Sequence, residues 1–268
     1  MLDSMRKTLF FEGKLPSCYN FEVLLATGVT HIMAPAYAFT PPQIARLREH
    51  DVKLEPVVTM QSDTCPCHPL VWDDLQRHIN KALPAAFNGS GVMWFDHVRF
   101  SGKWEQSMAS PPGIHEDCSL CEGKNRLRSI ANLARKITNW LPPNIEAGCF
   151  TVPIGKDYAD TRHQLGQDVV SLGKRFNYVS PMMYHRSLGW SVGQTAGYLS
   201  WLKERVSAKV LPILQVKDFP DGVPDQLTEA EMAEVHTAVR NLDLPTAWFS
   251  WDGALEKGKT KALARIWQ

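Results

Sequence analysis

The residues most able to do chemistry in this chain start with Asp96, which sits in the apolar run GVMWFDHVRF and is followed three residues later by Arg99. An ionised carboxylate among aromatic and aliphatic neighbours costs several kcal/mol unless it is paired or hydrogen-bonded. Arg99 is the natural partner: as a bland salt bridge it would order the strand end, and in a pocket it would orient Asp96 and depress its pKa. Trp104 and Glu105 follow on a long loop, and later apolar runs end in Tyr184 with His185, Gln215 with Asp218, and Trp251 with Asp252. Glu12 and Tyr37 end two earlier runs. This mixture of carboxylates, amides and aromatics suits sugar binding, in which hydroxyls take bidentate hydrogen bonds and the apolar ring face takes an aromatic platform.

The elements that must position these residues alternate between short apolar runs and longer amphipathic segments, the pattern of repeated βα units. Eight strands are expected, at 8–13, 30–37, 53–60, 92–100, 144–153, 176–185, 209–216 and 245–253. The intervening segments carry helix signals. Thr40 precedes two prolines in TPPQIARLREH, Leu75, Ile79 and Leu83 recur at helical spacing, and Thr228 with Glu231 forms a capping-box signature. Eight such units close into a single (β/α)8 TIM barrel over residues 1–268, with its site at the C-terminal strand ends. An open doubly wound sheet would more often carry a glycine-rich phosphate turn after its first strand, and neither GxGxxG nor GxxxxGKS/T occurs. Alternation puts Val92, Trp94 and Asp96 on one face of the fourth strand, Ser180, Met182 and Tyr184 on one face of the sixth, and Trp248, Ser250 and Asp252 on one face of the eighth.

A formal net charge of +1 over 268 residues argues against broad attraction to nucleic acid or an anionic membrane, which needs clustered Lys and Arg. The opening residues hold too short an apolar run for a signal peptide, and no run of about 20 apolar residues follows. The expectation is a soluble, cytoplasmic chain, or a secreted one if a signal peptide has been removed.

WFDHVRF on the fourth strand and YVSPMMYH on the sixth, with LGQDVVSL at 165–172 between them, resemble the paired signatures of glycoside-hydrolase-like TIM barrels, D-x-V-R-F and S-P-M-x-Y. The resemblance spans about residues 90 to 190. It implies a catalytic or substrate-orienting carboxylate at Asp96 and a pocket tyrosine at Tyr184. The chitinase pattern D-x-x-D-x-D-x-E is absent, which argues against substrate-assisted catalysis of that type. Glycoside hydrolysis usually needs two carboxyl groups flanking the scissile bond. Asp252 and Glu105 lead as the second, with Asp218 and Glu12 behind.

The expected function is therefore hydrolysis of a glycosidic bond in a poly- or oligosaccharide. Arg99, Tyr184, His185, Trp104, Trp251, Tyr37, Gln215 and Asp218 would contact the sugar, and catalysis would need no cofactor. One alternative is a non-catalytic barrel that binds carbohydrate or protein. Another is a metal-dependent hydrolase, against which the lack of an H-x-H pair on the first strand counts.

Cys65 and Cys67 lie after the third strand, and Cys118 and Cys121 after the fourth. Neighbouring loops would bring the four sulfurs together as a structural zinc site, as two disulfides in an exported protein, or as free thiols. His68 offers a replacement for one sulfur. Such a clip would hold the long loop of about 101–123, and four protein ligands would leave the metal no open position for water. Cys18 and Cys149 read as ordinary thiols.

Overall fold

A computed structural model of the chain describes residues 6–60, 65–100, 119–153, 159–219 and 224–268. Its strands are β1 (Lys7–Phe10), β2 (His31–Pro35), β3 (Lys53–Thr59), β4 (Val92–Asp96), β5 (Glu146–Thr151), β6 (Tyr178–Met183), β7 in two pieces (Lys209–Val210 and Ile213–Gln215) and β8 (Thr246–Phe249). Every neighbouring pair is parallel, and β8 pairs with β1 to close the ring. The break in β7 falls at Pro212, which has no N–H to give the ladder, although its carbonyl still accepts the Ala247 N–H at 2.9 Å. The expected (β/α)8 barrel is the fold.

Period-two burial sorts the strands into two layers. Phe10, Met33, Val57, Trp94, Phe150, Tyr178, Ile213 and Ala247 fill the barrel. Leu9, Ile32, Leu54, Phe95, Cys149, Val179, Leu214 and Trp248 face outward against the helices. The helices meet that outer layer with stripes at helical spacing: Leu75, Ile79, Ala82 and Ala86 in Pro69–Asn88, and Ile130, Leu133, Ala134 and Ile137 in Arg126–Trp140. Thr40 with Gln43 and Ser191 with Gln194 close reciprocal capping boxes. At Thr228 only half of the expected box forms. Its hydroxyl accepts the Glu231 N–H at 3.2 Å, but the Glu231 carboxylate turns to His185 and Arg186. Between β5 and β6 lie two short helices, Ala159–Leu165 and Val169–Leu172, rather than one, because Gly166 turns the chain with φ of 65°.

The barrel floor is polar, which the strand reading did not foresee. Glu55 on β3 is wholly buried and pairs with Arg6, while the Trp94 indole N–H donates to it at 2.6 Å and the Ser90 hydroxyl at 2.8 Å. Lys209 reaches the Tyr178 hydroxyl at 3.1 Å and Glu146 at 3.0 Å. Above this floor Trp94 stacks on Phe150, ring centroids 5.3 Å apart. Trp94 fits only because its register neighbour on β5 is Gly148, where a Cβ would stand 2.5 Å from the indole ring.

Candidate functional site

Asp96 is the last residue of β4 and, as alternation requires, shares the inner face with Trp94. Its Oδ1 accepts the His97 N–H at 2.7 Å, and its Oδ2 lies 3.7 Å from His97 Nε2. His97 adopts a left-handed φ of 59° and the Arg99 N–H bonds back to its carbonyl at 2.6 Å, so the strand alternation ends directly after Asp96. This turn brings Asp96, His97 and Arg99 into one electrostatic group. Burial lowers the His97 pKa, Asp96 opposes that and Arg99 adds to it, which leaves the imidazole neutral at neutral pH. Burial likewise lowers the Arg99 pKa against the pull of Asp96. The His97 Nδ1 is buried with no hydrogen-bond partner among the described residues.

Tyr184 follows β6 and lies against Phe219 and Phe249, ring centroids 5.3 and 5.4 Å away. Burial first, and then the charges of Asp96 and Glu12, hold its pKa well above the ordinary phenol value. The charges of two carboxylates thus both act on one protonated tyrosine at the barrel mouth. Glu12 is itself steadied by the Ser250 hydroxyl and by Lys14.

Asp252 does something other than the acid–base work expected of it. The strand expected over 245–253 ends at Phe249, and a helix, Trp251–Glu256, starts directly after it with Ser250 as its cap, so Asp252 lies in the first turn of that helix and shares no strand face with Trp248. The Asp252 side chain is buried and accepts four backbone N–H groups: Glu12 at 2.8 Å and Gly13 at 3.2 Å on Oδ2, Lys14 at 2.9 Å and Leu15 at 3.1 Å on Oδ1. A carboxylate so occupied positions the loop after β1, Glu12 included, and has no lone pair to spare for chemistry. Trp251 is also no platform. It is wholly buried, donates its indole N–H to the Cys18 carbonyl at 2.9 Å and lies over Phe11.

Three other expected sugar contacts belong to a lock between the β6 and β7 loops. Gln215 accepts the Arg186 N–H at 3.0 Å and donates to the Lys217 carbonyl at 2.9 Å. His185 bonds Glu231 at 3.0 Å, and Asp218 holds Arg186 at 2.6 Å and the Gln226 N–H at 2.8 Å. Apart from His185 Nδ1, which is buried with no hydrogen-bond partner among the described residues, their polar side chains are engaged with protein, and together they carry Phe219 to Tyr184. Tyr37 answers its expectation differently: it is 90% exposed and edges a cleft of about 840 Å³ that also meets Thr59, Met60, Lys81 and His97. His97 joins this cleft to Asp96.

Trp104, Glu105 and Cys118 lie outside the described residues. Cys65 and Cys121 are buried, and Cys67 meets the Ser129 hydroxyl at 3.6 Å. His68 caps its helix by accepting the Leu70 N–H at 3.2 Å. Among the described residues no group of three or more His, Cys, Asp or Glu is arranged to hold a metal ion, so the zinc expectation gains no support. No helix among them is long and apolar enough to cross a membrane. Sequence reading passed over the aromatic wall of Phe219 and Phe249; the parity of Phe249 with Ala247 carried a signal for one, and nothing in the loop sequence marked the other.

No family model and no curated protein sequence matches the chain. Solved structures do, across nearly its whole length. A class V chitinase from Pseudomonas fluorescens Pf-5 superposes with a TM-score of 0.66 at 15% identity, covering 98% of this chain and 99% of the other. A chitinase from Bacteroides thetaiotaomicron gives 0.63 at 12%, covering 98% and 96%. The PgaB (BpsB) glycoside hydrolase domain from Bordetella bronchiseptica gives 0.60 at 12%, covering 98% and 99%. The structural neighbours are thus TIM-barrel glycoside hydrolases, and at these identities the likeness is one of fold.

Proposed function

We propose that this chain hydrolyses a glycosidic bond in a poly- or oligosaccharide, with Asp96 as the carboxylate that acts at the scissile bond. The observation that carries this reading is the place of Asp96 at the C-terminal end of β4, on the inner face with Trp94, where its charge and that of Glu12 both act on the protonated Tyr184 that follows β6. Asp96 is only partly exposed, and the His97 N–H fixes its orientation through one oxygen. The Tyr184 phenol keeps its proton and so can donate to a sugar hydroxyl or to the carboxylate. Glu12 is the best-placed second carboxylate among the described residues, and Glu105 keeps its candidacy outside them. The cleft edged by Tyr37 extends from this point and gives a sugar ring a face to lie on. Catalysis in this reading needs no cofactor, so turnover is expected to survive chelation.

The test is a screen of polysaccharides and aryl glycosides for release of reducing ends or aglycone, repeated with Asp96→Asn. Loss of an acid–base group predicts a fall of about 10²- to 10⁴-fold in kcat. Unchanged turnover in Asp96→Asn rejects the assignment. One observation favours a binding barrel as the second reading: Asp252 is fully occupied and Glu12 is tied on two sides, which leaves one lightly held carboxylate among those described at the mouth. Glycan binding that depends on Tyr37, without cleavage of any panel member, would decide for it.

A further inference from the structure

The barrel mouth carries a second cavity, of about 490 Å³, walled by Arg186, Trp190, Asp218, Phe219, Gln226 and Glu231. These residues follow β6 and β7, whereas the Tyr37 cleft is bordered by the ends of β2 and β3. In a closed ring of eight strands β6 lies four places from β2 and β7 four from β3, so the two cavities stand on opposite sides of the mouth. Asp96 on β4 and Glu12 after β1 occupy the arcs between them. Phe219 joins the second cavity to the candidate site, since the same ring that lines it stacks on Tyr184.

Trp190 is half-buried and held from both sides. Before it, the helix His185–Leu188 ends at Gly189 with φ of 65°, and the Trp190 N–H bonds back to the His185 carbonyl at 2.8 Å. After it, Ser191 caps the helix Val192–Arg205 in a reciprocal box with Gln194. The ring packs against Tyr198, centroids 5.5 Å apart, and borders the cavity as well. Its indole N–H has no acceptor among the described residues, and the exposed Gln226, which meets Arg186 through its oxygen at 3.5 Å, has an NH2 group with none either. Asp218 and Glu231 fix the Arg186 wall. A rigid aromatic face beside two available donors suits a sugar ring and its hydroxyls, and little ordering is left for binding to impose.

We propose that Trp190 and Gln226 form a second glycan shelf, so that a chain of sugars crosses the whole mouth from Tyr37 to Trp190 and is cut at an internal bond. The substrate is then a polymer chain rather than a short glycoside. Cleavage at an internal bond presupposes the hydrolysis proposed above, whereas the shelf stands on binding alone.

Calorimetry on the Asp96→Asn protein with oligosaccharide ladders from cellulose, chitin and xylan tests the shelf. Affinity for a ladder that binds should climb with chain length until both shelves are filled. Trp190→Ala, added to Asp96→Asn, should weaken the longest chains by roughly tenfold, as the loss of one aromatic contact, and end the climb at a shorter length. Trp190→Phe should restore most of that affinity. Gln226→Ala, an exposed change that spares the fold, should weaken the same chains about threefold. The parent protein acting on an end-labelled long chain should first release fragments of mixed length. Affinity that stops climbing at the shortest members, or long-chain binding unmoved by both Trp190→Ala and Gln226→Ala, overturns the shelf even where the parent cleaves the glycan. Release of the terminal unit alone overturns internal cleavage. Length-dependent binding through Trp190 with no cleavage by the parent supports the shelf and rejects hydrolysis; a panel in which no ladder binds rejects both.

Discussion

Asp252→Asn is the perturbation that most directly separates a positioning carboxylate from a catalytic one. The native side chain takes two N–H groups on each oxygen, from four consecutive residues, Glu12 to Leu15. An asparagine can keep one pair on its oxygen, but its NH2 then faces the other pair, so two donors lose their acceptor. Each orphaned buried donor costs about 1–3 kcal/mol, which sums to roughly 2–6 kcal/mol. Loop relaxation and the partial exposure of these N–H groups place the expected loss near the middle, about 3 kcal/mol. That is a large share of the roughly 5–15 kcal/mol that holds a typical protein folded. Urea titration should show a lower midpoint at unchanged m. Turnover, if measurable, should fall with the displaced Glu12 loop. Stability within about 0.5 kcal/mol of the parent, a typical surface-substitution effect, would refute the reasoning. Such an unchanged fold with lost turnover would return Asp252 to the catalytic pair.

The two aromatic candidates should part company. Trp251→Phe should cost about 1 kcal/mol from the lost bond to Cys18 and leave glycan affinity unchanged, whereas Tyr37→Ala should leave the urea midpoint in place and weaken glycan binding in calorimetry. His31, with a folded pKa of about 3 against 6.5 for the unconstrained group, refuses a proton that the unfolded chain accepts. Its contribution to stability is therefore full above pH 6.5 and falls as the pH drops from 6.5 toward 3, by up to about 1.4 kcal/mol per pH unit; His31→Asn should flatten that limb in urea titrations across pH. Gly148→Ala drives a methyl into Trp94 and should destabilise by about 1–3 kcal/mol or more, read as a fall in melting temperature.

The barrel was legible because its signals are local. Alternation along one strand, a glycine that stops a helix and a threonine that starts one all act within a few residues, and so the eight units and the inner-face placement of Asp96 could be read directly. The role of Asp252 could not. Its partners lie 237 to 240 positions away, and the strand stops at Phe249, which puts Asp252 in the first turn of the next helix, where strand alternation no longer applies. The same distance effect hid Glu55, whose partner Arg6 lies 49 positions away. Glu231 had the spacing of a capping-box acid, and tertiary context gave it to His185 and Arg186 instead. Candidates chosen because a polar residue ends an apolar run therefore divided by what else lay within reach: Asp96 and Tyr184 stand at the ends of β4 and β6 with the charge of one acting on the other, while Gln215, His185 and Asp218 are claimed by neighbouring loops.

Trp94 also ties together residues that mutation cannot change singly. Its ring fills the space that Gly148 leaves, and its indole N–H is one of the donors that neutralise Glu55 against Arg6. A smaller residue at 94 opens a void and takes one donor from a buried acid that keeps only Arg6 and Ser90; a larger one at 148 has nowhere to go while the indole stays. Divergence through this part of the barrel must then proceed by compensated jumps that alter several positions together, and a designer grafting new loops onto the mouth should carry Arg6, Glu55, Trp94 and Gly148 across as a single inherited block.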